Sequence, residues 1–381
     1  VQKFRTRLKS ELEAPRAARA FGTGWIAGVF ALAAALAGLI FTVALRHPSL
    51  FTFPELAALR DHAWFPFVVY GLLILAYLLA ATSLILRADK TLGLTAMTVT
   101  LLATLLGSLP AERLPGEGTG IFFGLDFFVL NVLFTAFLFL PLERLFPHDP
   151  KQEIFRPEWR EDLFYYLVSS LFVQLLTFLT LAPSRILLDA GNWASVRAFF
   201  GGLPWLLQLA LIMVATDLVQ YWVHRAFHRV PALWRFHAVH HSARSMDWIA
   251  GARMHFIEII VLRGLTATPM FVLGFQESAI QAYVLIVYVY SAFIHSNVAG
   301  SFGIIERIFV VPRFHHWHHG IEKEAIDVNF AIHFPLLDKL FGTYHLPDGK
   351  WPEGYGIGGH PVPLGYVKQF LYPFRREKPQ G

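Results

Sequence analysis

Apolar residues along this chain gather into long runs set between short polar stretches. Runs near the roughly 20 residues that a helix needs to cross about 30 Å of hydrocarbon occupy residues 21–45, 64–86, 92–109 and 121–142, and, after a polar stretch, 163–182 and 203–223. Two less clean runs follow at 256–275, which carries Arg263, and at 279–294. Only Gln276, Glu277 and Ser278 separate them, which predicts a tight hairpin with both ends on one side. The pattern therefore predicts an all-α, polytopic transmembrane helix bundle of about eight membrane segments. The first run follows a basic stretch but is much longer than the roughly 7–15 apolar residues of a signal-peptide core, so it reads as an uncleaved anchor.

Polar positions divide the chain. A seam lies in residues 143–162, which contain Pro147, Pro150 and Pro157. Beyond Arg313 the chain is too polar to re-enter a bilayer, and residues 347–365 are rich in Gly and Pro. Three parts are expected: a four-helix membrane bundle over residues 1–145, a second part over 146–345, and an irregular tail over 346–381.

Composition agrees with the membrane reading. Of 381 residues, 55% are hydrophobic and 15% are Asp, Glu, Lys or Arg, against roughly 25% charged in a soluble domain. Basic residues collect in alternate loops: Lys3, Arg5, Arg7, Lys9, Arg16 and Arg19, then Arg87 and Lys90, then Arg144, Lys151, Arg156 and Arg160. The intervening loops hold Arg46, Arg60, Arg113, Arg185 and Arg197. The positive-inside rule then places the N-terminus, the residues around His224 and the C-terminus in the cytoplasm. Basic loops on anionic headgroups account for the net charge of +5, and no nucleic-acid partner is needed. Cysteine is absent, which excludes disulfides, thiolate zinc sites and cysteine-ligated iron–sulfur clusters.

Seventeen histidines remain to be explained, many of them crowded into one third of the chain. His224 and His228 stand four apart at the end of the sixth run, where a helix would aim both at one point. His237, His240 and His241 follow at i, i+3 and i+4, a spacing expected to gather them on one helical face. His315, His318 and His319 repeat that spacing, and His295 closes the last apolar run. Nitrogen donors suit iron, zinc, copper or nickel and disfavour magnesium and calcium. Nine candidates exceed what one metal of common geometry holds, so two metals are expected. A dinuclear nitrogen-rich centre at a membrane surface points to oxygen activation by two irons; zinc hydrolysis stays open on ligand type, although HExxH is absent.

The HxxxH, HxxHH and HxxHH boxes resemble those of the fatty acid hydroxylase/sterol desaturase superfamily of membrane di-iron enzymes. The likeness extends to the acidic lead-in from Asp217 to Trp222, to Arg253-Met254-His255-Phe256-Ile257-Glu258, which is similar to the family's R-x-H-P-x-E stretch, and to Asn329-Phe330-Ala331 with Asp338 through Thr343. It covers roughly residues 206–374, and Phe256, Ala331 and Leu337 depart from the family's pattern. The resemblance implies metal ligation by His224, His228, His237, His240, His241, His295, His315, His318 and His319, in a cytoplasmic histidine-rich di-iron cap. Where some relatives carry a further ligand one turn before His295, this chain has Ser291, so His255 is expected as a ligand or as a support to one. His316 is a substitute for His315.

Asp217 lies seven residues before His224 on nearly the same helical face. An intramembrane carboxylate is costly unless partnered, and it is expected to fix the tautomer of a ligating histidine. The implied function is hydroxylation or desaturation of a C–H bond in a membrane lipid, sterol or fatty-acyl chain. Two irons and dioxygen would take part, with electrons from a separate electron-transfer protein or reductase. Competing readings are a hydroxylase of a lipid headgroup, ether lipid or carotenoid and, from another class, a membrane metal-binding protein or transporter. A transporter would place ionisable ligands near the bilayer midplane, whereas these histidines fall at helix ends.

Overall fold

A computed structural model describes residues 2–51, 54–60, 62–107, 125–359 and 361–375. The expected run ends at Leu109 and Ile121, together with Arg113, His360 and the chain beyond Arg375, lie outside the described residues. The fold is all helical, with no strand among the described residues. It forms two compact units, Val1–Arg156 and Pro157–Gly381.

The first unit contains α1 (Gln2–Leu12), α2 (Trp25–Arg46), α3 (Pro54–Arg60), α4 (Phe65–Leu86), α5 (Thr91–Gly107) and α6 (Leu125–Leu145). Lipid is as apolar as a leucine side chain, so membrane helices associate by close van der Waals packing at small residues. α2 follows that rule: it packs on α4, α5 and α6 and buries Ala31, Ala34 and Ala35 completely, as α4 buries Ala76 and Ala80 and α5 buries Ala96. A Cβ on Gly38 would stand 2.6 Å from the side chain of Leu73 on α4. The opposite side of α4 exposes Phe67, Ile74, Leu78 and Ile85, the face that meets lipid.

The second unit contains α7 (Trp159–Leu171), α8 (Val173–Ala190), α9 (Ala194–Gly201), α10 (Trp205–Arg229), α11 (Pro231–His241), α12 (Phe256–Val272), α13 (Glu277–His295), α14 (Ile305–Ile308), α15 (Pro312–His318), α16 (Pro335–Phe341) and α17 (Tyr366–Leu371). α12 packs along α8 and α10, while α13 packs along α10 and meets α15. Gly274, at φ 75°, makes the left-handed turn between α12 and α13.

Among the described residues, six helices are long and apolar enough to cross a membrane: Trp25–Arg46, Phe65–Leu86, Phe127–Leu145, Val173–Ala190, Trp205–Arg229 and Glu277–His295. The chain is an integral, multi-pass membrane protein. α5 and α12, at 17 residues each, are about 26 Å long and fall short of a full hydrocarbon core. The run expected at 163–182 is not one helix. It breaks at Phe172, whose φ of −99° and ψ of 18° leave the helical region; the polar start of α7 is tied separately, Asp162 accepting from the buried Arg253 and Glu161 from Gly365 N and Gln369.

The last described residues, set apart on sequence as a tail, pack on the histidine-bearing helices. Trp317 Nε1 donates to Lys350 O, Gly356 N to His319 O and Ile321 N to Gly354 O. Gly38→Leu should overpack the α2–α4 contact and destabilise the protein by about 1–3 kcal/mol, read as a lower thermal midpoint by size-exclusion chromatography in detergent.

Candidate metal centre

The second unit's spans deliver histidines at their ends. His224 and His228 occupy the last turns of α10, and His295 is the final residue of α13. α11 and α15 each begin with a proline in the first turn, Pro231 and Pro312, a position where the missing N–H costs nothing. These short helices carry five of the other six, and His319 caps the C-terminal end of α15.

All nine histidines implied on sequence fall into two adjoining groups, each with its donor atoms within 4.8 Å of one another: His224, His228, His237, His241 and His318, and His240, His295, His315 and His319. The HxxHH boxes do not each serve one group, as their spacing suggested. α11 gives its i, i+4 pair, His237 and His241, to the first group and His240 to the second. α15 does the reverse, giving His315 and His319 to the second group and His318 to the first. The rings of His241 and His319 stack across the boundary with centroids 4.3 Å apart.

Hydrogen bonds on the outer nitrogens determine what the inner ones present. A carbonyl oxygen only accepts, so each Nδ1 facing one carries the proton. His224 Nδ1 donates to Phe330 O at 2.9 Å, His240 Nδ1 to Arg253 O at 3.1 Å, His295 Nδ1 to Ser291 O at 2.7 Å and His318 Nδ1 to Val328 O at 2.7 Å. His237 Nδ1 donates to Glu258 Oε1 at 2.6 Å. In each of these five the neutral ring must offer a lone pair at Nε2.

Those lone pairs face one another. His224 Nε2 and His237 Nε2 are 3.0 Å apart, and His295 Nε2 and His240 Nε2 are 3.3 Å apart. Neither pair can form a hydrogen bond in these tautomers. His241 Nε2 approaches His237 and His318 at 3.1 and 3.0 Å, and His315 Nε2 approaches His295 and His319 at 3.0 and 3.2 Å. Nitrogens about 2.1 Å from a common cation stand about 3.0 Å apart at right angles and about 3.4 Å apart at the tetrahedral angle. The spacing and the donor set fit a metal ion in each group. Five donors in the first group exceed the four of a structural zinc.

Burial removes protonation as another resolution of the conflict. His237, His240, His241, His315, His318 and His319 are pushed well below the ordinary value of 6.5, first by desolvation and then by neighbouring histidines. They stay neutral at pH 7, the state that ligates.

Asp217 and His255 do not touch either group. The Asp217 carboxylate accepts from the backbone N–H groups of Ile332, His333 and Phe334 at 2.8–3.2 Å. His255 is the N-cap of α12: its Nδ1 accepts from Ile257 N, and its Nε2 donates to Phe370 O. His316 turns away and hydrogen-bonds the Tyr355 hydroxyl and the carbonyls of His295 and Ser296.

Sequence reasoning assigned no role to Glu258, Asp327 or Asp338. Glu258 fixes His237 from the buried first turn of α12; its signal was a carboxylate near the start of an apolar run. Asp327 stands 3.4 Å from His228 Nδ1, in a polar loop that carries no such signal. Asp338 accepts from Phe330 N, Ala331 N and the Thr343 hydroxyl, while burial pushes its carboxyl up to about 6, still ionised at pH 7.

The fatty acid hydroxylase family matches residues 209–343. An ornithine lipid hydroxylase of Rhizobium tropici is 30% identical over 256 residues, which cover 65% of this chain and 76% of that protein. The chain belongs to the fatty acid hydroxylase superfamily. It is also similar to the alkylglycerol monooxygenase of Homo sapiens, 30% identical over 42% of this chain and 34% of that protein, so this chain spans about a third of that relative. A very-long-chain aldehyde decarbonylase of Oryza sativa subsp. indica is 29% identical over 40% of this chain and 26% of that protein. No solved structure matches. As a superfamily member the protein is an oxidoreductase.

Two expectations follow from the geometry. The six histidines with depressed values bind protons less readily folded than unfolded. Stability of the chelator-treated protein is therefore fully present above about pH 6.5 and lost as pH falls from there toward the folded values; thermal melts between pH 8 and 5 should show this slope. Asp217→Asn, which replaces an acceptor of three backbone N–H groups, should cost about 1–3 kcal/mol, read as a lower melting temperature at pH 8.

Proposed function

We propose that this chain is an oxygen-dependent hydroxylase of a membrane lipid, working through two irons held by the two histidine groups. His224, His228, His237, His241 and His318 would hold one iron, and His240, His295, His315 and His319 the other. The observation that carries this reading is the set of opposed Nε2 lone pairs at 3.0–3.3 Å, reinforced by a first group too rich in donors for tetrahedral zinc. When bound, the irons supply the activation of dioxygen and the oxidising power needed for an unactivated C–H bond.

The chain's own residues do the rest. Phe330, Val328, Arg253 and Ser291 orient four imidazoles through their carbonyls, and Glu258 orients a fifth. The rings of Phe330 and Trp234 lie against His228 and help keep bulk water from the donors. Because α10 and α13 cross the membrane and end on the histidines, a substrate dissolved in the bilayer reaches them sideways. The names of two relatives, an ornithine lipid hydroxylase and an alkylglycerol monooxygenase, support lipid hydroxylation. We place the histidine groups and both termini on the cytoplasmic side, where the basic loops collect. Electrons would come from a separate donor protein drawn to that basic face by charge complementarity.

Lipids from cells grown under isotopically heavy oxygen test the reading. Cells expressing the wild type should contain a lipid carrying one heavy oxygen atom that is absent from cells expressing His241→Ala. A product lighter by two hydrogens and free of label would make the enzyme a desaturase, and identical lipids with iron and donor supplied would refute lipid oxidation. Purified Glu258→Gln should bind metal about 10–100-fold more weakly, whereas His316→Ala should retain the wild-type metal content by mass spectrometry.

A further inference from the structure

One cation in the second unit has no counterpart. Arg263 interrupts the apolar helix α12, and among the described residues its guanidinium makes no hydrogen bond or ion pair. The side chain is exposed, yet protein crowds it closely, and Tyr166, Tyr288 and Glu258 are the groups that feel its charge. Tyr166 belongs to α7 and Tyr288 to α13, and their hydroxyls hydrogen-bond each other. The exposed guanidinium therefore stands where α7, α12 and α13 approach.

Its distance from the histidines follows from helix geometry. Tyr288 precedes His295 by seven residues, two turns on the same face and about 10 Å along the axis. Arg263 follows Glu258, the acceptor of His237 Nδ1, by five residues, about 7.5 Å, and its long side chain leans back toward the start of α12. Both helices thus set Arg263 and its neighbour Tyr288 about one and a half to two turns, roughly 7–10 Å along the helix axes, from the residues that carry or fix the histidines. Glu258 does not neutralise it: Glu258 Oε1 is engaged by His237, and its buried Oε2 has no hydrogen-bond partner. An unpaired arginine in an apolar helix is costly until an anion joins it.

We propose that Arg263, flanked by the Tyr166 and Tyr288 hydroxyls, binds the anionic group of the lipid substrate, a carboxylate or a phosphate ester, and so selects anionic amphiphiles and sets which carbon lies at the histidines. Guanidinium suits both anions because it presents paired N–H donors. The inference rests on the lipid-hydroxylase reading and adds the chemical class of the substrate. It also implies that the separation between Arg263 and the histidines fixes how far along the chain the oxidised carbon lies from the headgroup.

The test uses the full-length, metal-loaded protein in phosphatidylcholine nanodiscs. Three photoreactive probes are compared: a fatty acid with a free carboxylate, its methyl ester, and a phosphatidylglycerol with the same reactive chain. In the wild type one anionic probe should label peptides of α7, α12 and α13 at least about tenfold more than the ester. Which anionic probe does so separates a free carboxylate from a phospholipid phosphate. Arg263→Gln should drop anionic labelling to the ester's level with metal content unchanged, and Arg263→Lys should recover part of it. Equal labelling by ester and acids in the wild type, or an Arg263→Gln protein that still prefers the acids, overturns the proposal; the wild-type comparison decides even where a variant fails to fold. Labelling needs no turnover. Anion selectivity without heavy-oxygen product would sink the hydroxylase reading and leave the subsite, whereas hydroxylation with an unchanged KM in Arg263→Gln would sink the subsite alone.

Discussion

Two neutral imidazoles cannot hydrogen-bond through their Nε2 atoms when both protons already sit on Nδ1, and the second unit is arranged so that this conflict arises at its centre. His224 meets His237 in this way, and His240 meets His295. Every outer acceptor that fixes a proton on Nδ1 adds a lone pair to the interior. Burial blocks the other escape, protonation of a ring. Only a cation bound between the nitrogens turns the repulsion into cohesion, so metal affinity and fold stability draw on the same contacts. Two of the helices that carry donors, α11 and α15, are short, and their histidines pair with other elements.

That pairing depends in turn on a stretch of irregular backbone. The carbonyls of Val328 and Phe330 hold His318 and His224, while the N–H groups of Phe330, Ala331, Ile332, His333 and Phe334 are taken by two carboxylates, Asp338 for the first two and Asp217 for the other three. A peptide unit pinned on its donor side has a fixed carbonyl direction on the other. Asp338, which takes the Ala331 N–H, therefore fixes the Phe330 carbonyl that holds His224, while Asp217, from within a membrane-crossing helix, fixes the next three peptide units of the same stretch. The cost of a carboxylate inside the span is offset by three N–H donors, without a counter-cation. Asn329, in a left-handed conformation at φ 58°, completes the bend by donating from its side chain to Phe314 O and His345 O.

The sequence disclosed the donors more readily than their supports. Membrane runs were legible because hydrophobicity integrates over about twenty positions, and the nine histidines because their density has no structural explanation in an apolar chain. Their partition was not legible. Positions i and i+4 differ by about 40° around a helix, whereas i+3 stands about 100° from i+4, so a helix lodged between two groups can send the pair one way and the third residue the other, as α11 and α15 do. The break at Phe172 escaped because residues 163–182 are predominantly apolar, and the tie that anchors the start of α7 escaped because it runs from Asp162 to an arginine 91 residues later in the chain. The carbonyl acceptors escaped for a more general reason: any residue supplies a carbonyl, so nothing in the identity of Val328 or Ser291 marks it.

Nitrogen-only ligation also shapes the field around the site. Neutral imidazoles cancel none of the charge that bound cations bring, and the carboxylates that touch the donor rings are few: Glu258 on His237 and Asp327 on His228. Two divalent ions would leave the pocket strongly positive in a low-dielectric setting, where such a charge acts over longer distances than in water. A positive pocket would favour anions at its mouth, and Arg263, two turns into α12, would add to that bias. Under the proposed reading substrate charge and metal charge would be coupled: an anionic headgroup entering from the bilayer would be drawn toward the metals while its hydrocarbon remained among the apolar helices. The same field would not carry the anion deeper, because the histidine interior holds ligating lone pairs and few donors.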